Sequence, residues 1–275
     1  QNYFIMEAKS VNFKQAKGIK SAFLVIVCCF ILAICIFNFV LGNPENFMNN
    51  DPNNHPLPGN MLGTIYKGGV IVPVLQTLLL TVLVLSIERA FAIGKAKGKG
   101  NVVKFVKNVK EALNAGEVEK ARELCVKQKG SVASVVYSAL KKYEEMEKDT
   151  TLAKDQKLMN IQKELDEATA LELPSLEQNL VVIATMTTLG TLTGLLGTVM
   201  GMIKSFAALA NAGSPDSVAL STGISEALIN TAFGIATGAL AVISYNYFTS
   251  KIDKLTYSID EVGFTIVQTY AATHK

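Results

Sequence analysis

The chain has 275 residues, 49% of them hydrophobic and 18% charged, with a formal net charge of +3. That balance is too apolar for an ordinary soluble domain, and the apolar residues are clustered rather than dispersed. The small positive charge is accounted for by loop lysines and arginines flanking the apolar runs, so it supplies no argument for a nucleic-acid partner.

The first 20 residues carry Lys9, Lys14, Lys17 and Lys20 against Glu7. A run over 21–42 follows, 22 residues without a charge, long enough to cross a hydrocarbon core of roughly 30 Å. It is long for a signal-peptide core and lacks a small-x-small exit site. The 43–68 segment is rich in Asn and Pro, has no apolar period and reads as an irregular connection. A second span is expected over 69–91, dominated like the first by Leu, Ile, Val and Phe. The 92–178 region reads as a helical domain almost throughout, with Ala115-Gly116 as a stop and Pro174 as the strongest breaker, marking a kink at the membrane surface rather than a stop. A third span (179–209), a short 210–223 loop, a fourth span (224–248) and a 249–275 helical tail complete the chain. In that tail Ile252, Leu255, Ile259, Val262 and Ile266 form a heptad seam, which predicts packing against a neighbouring helix rather than on a membrane surface.

The expected fold is all-α, a polytopic membrane protein whose four transmembrane helices extend into a cytoplasmic helical bundle. Basic residues flank 1–20, the end of the second span and the start of the tail, so both termini and the 92–178 domain are expected in the cytoplasm. Cys28, Cys29 and Cys35 fall in the first span as small apolar groups, and Cys125 is expected to be a reduced cytoplasmic thiol. His55 and His274 read as solvated residues. Neither histidines nor cysteines have metal-ligand spacing, so no metal site is expected.

The last two spans are unusual. Gly190, Gly194, Gly197 and Gly201 recur at four, three and four residues, a ridge that lets helix backbones approach closely. Thr187, Thr191, Gly194 and Thr198 lie beside it. Ala227, Thr231, Gly234, Gly238 and Ala241 make a similar stripe in the fourth span. The plainer reading of each threonine is a hydroxyl bonded back to its own helix. Several on one face can instead stage a polar group, although threonine does not titrate near neutral pH. Glu226 is the titratable residue of the fourth span, and a carboxylate inside a membrane segment is by default a functional candidate. Lys204, at a comparable depth, is a candidate ion-pair partner for Glu226. Asn230, one turn deeper on the same face, extends the polar track.

The segments Gly194-Leu195-Leu196-Gly197-Thr198-Val199-Met200-Gly201 and Ser225-Glu226-Ala227-Leu228-Ile229-Asn230-Thr231 resemble the MotA/TolQ/ExbB proton-channel family, and the ExbB branch most. The resemblance implies a homopentamer in the bacterial inner membrane, enclosing a dimer of an ExbD-like single-span partner and energising a TonB-like protein. In the family a partner aspartate carries the proton, and the threonines and glutamate that line its path correspond here to Thr198, Thr231 and Glu226. The transported ion would be H+, with no cofactor. The additional amino-terminal span departs from the familiar ExbB pattern and is expected at the periphery. A TolQ-like envelope role, a motility stator and a non-conducting scaffold remain alternatives. No Ser/His/Asp set or phosphate loop is apparent, so an enzyme is not expected.

Overall fold

A computed structural model describes residues 21–211 and 217–274; the 1–20 segment, part of the 210–223 loop and Lys275 lie outside the described residues. Among the described residues the regular structure is helical. Four helical stretches are long and apolar enough to cross a membrane, Ala22–Leu41, Ile71–Ala96, Lys154–Ala210 and Ala219–Thr273. The chain divides into two units: one comprises the described residues of Ile19–Arg89 and Asn179–Tyr247, the other those of Ala90–Gln178 and Phe248–Lys275.

In the first unit α1 (Ala22–Cys35) starts at Ser21, whose hydroxyl accepts from Leu24 N, and ends in a wide π turn over Ile36–Leu41. Only a narrow stripe of α1, at Val25, Cys29 and Ala33, is buried. Phe23, Leu24, Ile31 and Leu32 remain exposed, as befits a helix whose other faces meet lipid.

The connection read as irregular is in fact built. Asn46 Nδ2 donates to Val40 O (2.8 Å) and Leu41 O (3.1 Å), closing the open end of the preceding helix. Asn60 Nδ2 donates to Asn46 Oδ1 at 3.0 Å, while Asn60 Oδ1 caps α2 (Met61–Tyr66) by accepting from Gly63 N. Phe37 stacks on Tyr66 at 4.6 Å and Phe47 meets it edge-on at 5.4 Å, with Phe47 almost wholly buried. Asparagine amides do here what an apolar period does elsewhere, which is why no period announces the structure.

α3 (Ile71–Ala96) follows the Gly68-Gly69 turn. Its buried face is not the ordinary apolar one that its composition implies. Gln76, Thr77 and Thr81 are buried between Val72, Leu75, Val82 and Leu85. Thr77 Oγ1 donates back to Pro73 O at 2.7 Å. Farther along, Arg89 is fully enclosed and its guanidinium bonds the Glu88 carboxylate.

The second unit comprises α4 (Val102–Asn114), α5 (Val118–Gln128), α6 (Gly130–Lys148) and α7 (Lys154–Glu177) together with the tail of α9 (Ser217–Thr273). Val102, Phe105, Val106, Val109 and Leu113 form the buried stripe of α4, at the three- and four-residue spacing of an amphipathic helix. All five heptad positions of the tail, Ile252, Leu255, Ile259, Val262 and Ile266, are buried, so the seam packs inside the bundle. Gly263 does not end the helix, which continues to Thr273 with the Leu165 side chain of α7 against the glycine. Lys110 Nζ reaches Glu261 Oε1 at 2.9 Å, joining α4 to the tail.

Pro174 lies within α7 rather than ending it, and the chain breaks at Gln178 and Asn179; Asn179 has φ 64°, a left-handed conformation that asparagine tolerates. One expectation changes here. His274 is not simply solvated: its ring stacks on Tyr270 at 4.2 Å and Nε2 lies 3.6 Å from Glu147. His55 is exposed as expected.

Candidate functional site

The site is built where α8 (Leu180–Asn211) packs against the membrane half of α9. The two run antiparallel, since Gly190 faces Thr237 and Gly234 while Gly201 faces Gly223 and Ala227. The glycine ridge is what lets them approach. A methyl group at Gly194 would lie 2.9 Å from Asn230 O, and one at Gly234 would lie 2.6 Å from Gly190 O. The ridge on α8 and the small stripe on α9 therefore mesh within one chain, as backbone-to-backbone packing in lipid requires.

Close approach brings hydroxyls together. Thr198 and Thr231, both partly buried, hydrogen-bond to each other through their Oγ1 atoms. Thr198 Oγ1 also has Gly194 O at 3.2 Å and Ala227 O at 3.4 Å as acceptors, and Thr231 Oγ1 has Ala227 O at 3.0 Å. Each hydroxyl has one proton to give and several acceptors in reach, so the pair can reverse its donor direction by rotating. It conducts a hydrogen-bond rearrangement but stores no charge. Thr191, nearer the start of α8, is exposed and donates back to Thr187 O at 3.1 Å, with its hydroxyl packed beside Gly238.

Glu226 lies toward the α8–α9 connection. Lys204 Nζ donates to Glu226 Oε1 at 2.6 Å, the Lys204 side chain 52% exposed and that of Glu226 only 6%. The cation thus faces outward and the carboxylate inward, a pairing that offsets the cost of burying the anion. Gly69 packs directly on the Glu226 carboxylate.

Asn230 is placed differently from the polar track expected of it. It is fully enclosed inside the chain rather than lining an open surface, with Nδ2 donating to Gly68 O at 2.9 Å and its side chain against Gly197. The structure thus brings Thr198 with Thr231, and Glu226 with Lys204. It separates Thr187 and Thr191 from both pairs, nearer the start of α8.

Sequence reasoning missed Gly68 and Gly69, and the buried polar face of α3. A Gly-Gly pair ahead of an apolar run signals a turn, but nothing local shows that it touches Glu226. Thr77 and Thr81, four residues apart, with Gln76 beside them, were the available sign for the second. Among the described residues no group of three His, Cys, Asp or Glu is arranged to hold a metal ion.

Long helices, four candidate spans and a hydroxyl-lined helix pair define a multi-pass helical membrane protein. The model of the MotA/TolQ/ExbB proton channel family matches residues 127–261, which include all of α8 and the α9 segment facing it. The Tol-Pal system protein TolQ of Pseudomonas aeruginosa is 29% identical over 124 residues, 45% of this chain and 54% of that protein. The TolQ of Haemophilus influenzae is 24% identical over 200 residues, covering 71% of this chain and 87% of that protein. The biopolymer transport protein ExbB of Salmonella typhimurium is 31% identical over 85 residues, 31% of this chain and 35% of that protein. The matches thus span about half of the Pseudomonas protein and about a third of the Salmonella one. Over residues 127–261 this chain is similar to the MotA/TolQ/ExbB proton channel family.

Proposed function

We propose that this chain is the larger subunit of an ExbB-like proton-driven motor in the bacterial inner membrane. Five copies surround a dimer of a small ExbD-like single-span protein, and proton flow is converted into mechanical work on a TonB-like protein that energises outer-membrane transport. Both termini and the helical bundle lie in the cytoplasm. The protein is neither an enzyme nor cofactor-dependent, its transported ion is H+, and its partners are protein and lipid rather than nucleic acid.

The observation that carries this reading is the Thr198–Thr231 hydroxyl pair, beside the small-residue packing of α8 on α9. A wall that offers rotatable hydroxyls without a titratable group at the same level needs a carboxylate from elsewhere to carry protons. A partner carboxylate supplies it. Ionised, it is held by the hydroxyls and water; neutral, it crosses apolar wall at much lower cost. Protonation therefore licenses movement past the ring that five Thr198–Thr231 pairs would form. Glu226 and Lys204 stand nearer the outer mouth and set its local charge.

A TolQ-like role in envelope maintenance is the second reading, favoured by the 87% coverage of the Haemophilus TolQ. Co-purification decides between them: the small single-span protein recovered with this chain, and the process lost on its deletion, name the branch. Proton uptake into vesicles containing the complex tests the conduction itself. Wild-type complex that carries no proton current above empty vesicles, at normal abundance, would leave only the scaffold.

A further inference from the structure

Gly69 has φ +75°, a backbone conformation that glycine adopts freely and other residues only under strain. It is also closed in on its side-chain side. A methyl group there would lie 3.0 Å from the carboxyl carbon of Glu226 and closer still to its Oε1. The neighbouring residue is engaged as well, since Gly68 O accepts from Asn230 Nδ2 at 2.9 Å, one helical turn from Glu226. That amide sits against Gly197, and it is fully enclosed. Two consecutive glycines at the head of α3 thus meet two polar residues on one face of α9. The same carboxylate is held from α8 by Lys204.

We propose that the Gly68-Gly69 turn is the positioning element of the outer proton path: it seats the Glu226 carboxylate against Lys204 and fixes the register of α9 through Asn230. The proposal rests on the channel reading for its functional consequence, though not for its geometry. Gly69 has no side chain because the Glu226 carboxylate occupies that volume. Gly68 contributes a carbonyl that no side-chain substitution removes. The turn joins the outer connection to α3, so any displacement of that connection is transmitted to Glu226 as a shift of its seat.

Gly59 provides the internal control. It has φ +80° in the same connection, but nothing lies within 4 Å of where a side chain would begin. Gly59→Ala therefore strains the backbone alone, whereas Gly69→Ala strains it and displaces Glu226. Glu226→Asp shortens the side chain by one methylene and withdraws the carboxylate from the same volume.

The experiment expresses the full chain with its single-span partner and measures proton uptake in membrane vesicles and thermal stability of the purified complex in detergent. Gly59→Ala is expected to conduct like the wild type. Gly69→Ala is expected to lose about tenfold or more, the scale of effect of a small misplacement at a reacting centre. Adding Glu226→Asp to Gly69→Ala should recover at least half of the lost stability and raise uptake above the level expected if the two changes acted independently. If Gly69→Ala prevents assembly, recovery of assembly by Glu226→Asp reads the same coupling. Equal behaviour of the two glycine variants, or independent effects of Gly69→Ala and Glu226→Asp, overturns the proposal. If the wild-type complex carries no protons the channel reading fails instead, and the coupling in thermal stability decides the positioning claim by itself.

Discussion

The hydroxyls of Thr198 on α8 and Thr231 on α9 hydrogen-bond to each other, and both reach the same carbonyl, Ala227 O. Valine has nearly the shape of threonine without the hydroxyl, so Thr198→Val and Thr231→Val remove the bond with little change in packing volume. Proton uptake by either variant complex is expected to fall about fivefold, the equivalent of one hydrogen bond at roughly 1 kcal/mol. Complex abundance should stay unchanged. Uptake equal to the wild type in both variants would remove the hydroxyl pair from the path.

The Lys204–Glu226 pair has unequal exposure, and that asymmetry sets what its loss does. Lys204→Met leaves the Glu226 carboxylate buried without its cation, at a cost of about 1–3 kcal/mol. Glu226→Gln frees an ammonium that is already half in solvent, which costs less. The double variant should consequently melt above Lys204→Met alone when the detergent-solubilised complexes are compared. Additive losses of melting temperature would mean that the two residues do not act as a pair.

Glycine is required at Gly194 and Gly234 for space and is merely tolerated at Gly94. Gly194→Val forces a side chain into the 2.9 Å gap to Asn230 O, and overpacking of this kind costs about 1–3 kcal/mol. Gly94 has nothing within 4 Å of a would-be side chain and sits inside α3, so Gly94→Ala should gain about 0.5–1 kcal/mol in helix stability. Chemical unfolding of the two variants is expected to move in opposite directions. A destabilised Gly94→Ala would contradict the open surroundings of that glycine.

Cys125 is fully buried in α5, and burial pushes its thiol up from an ordinary 9.0 to about 12. Burial disfavours the thiolate, so the folded state keeps a proton that the unfolded chain gives up. Its contribution to stability is complete below about pH 9 and is lost progressively as pH rises toward about 12. Cys125→Ala should lack this part of the alkaline loss. In the native protein at pH 8, iodoacetamide should leave Cys125 unmodified until denaturant is added, as mass spectrometry of the modified peptides will report. Rapid native labelling would mean that the helical bundle opens locally around α5.

The helical unit was legible because its information is periodic. Val102, Phe105, Val106 and Val109 repeat at helical spacing, and Ile252 to Ile266 repeat at heptad spacing, so each helix declares its buried face without its neighbours. The 43–68 connection was not legible. Its order comes from single contacts such as Asn46 to Val40 O and Phe47 to Tyr66, which leave no period behind. The break at Asn179 was not legible for a related reason: it rests on one asparagine that accepts a left-handed backbone, while Pro174 stays within its helix.

By itself the sequence determined four apolar stretches long enough to cross a membrane, two glycine-rich helices and a carboxylate about one turn into the second of them. Those follow from composition and spacing along single helices, which the chain carries locally. Only the tertiary structure decided which polar residues meet. It paired Thr198 with Thr231 and Lys204 with Glu226, enclosed Asn230 against Gly68, and placed Gly69 beneath the Glu226 carboxylate. Contacts of that kind join residues far apart in the chain, and they exist only once glycine has let the helix backbones come close enough for short side chains to touch.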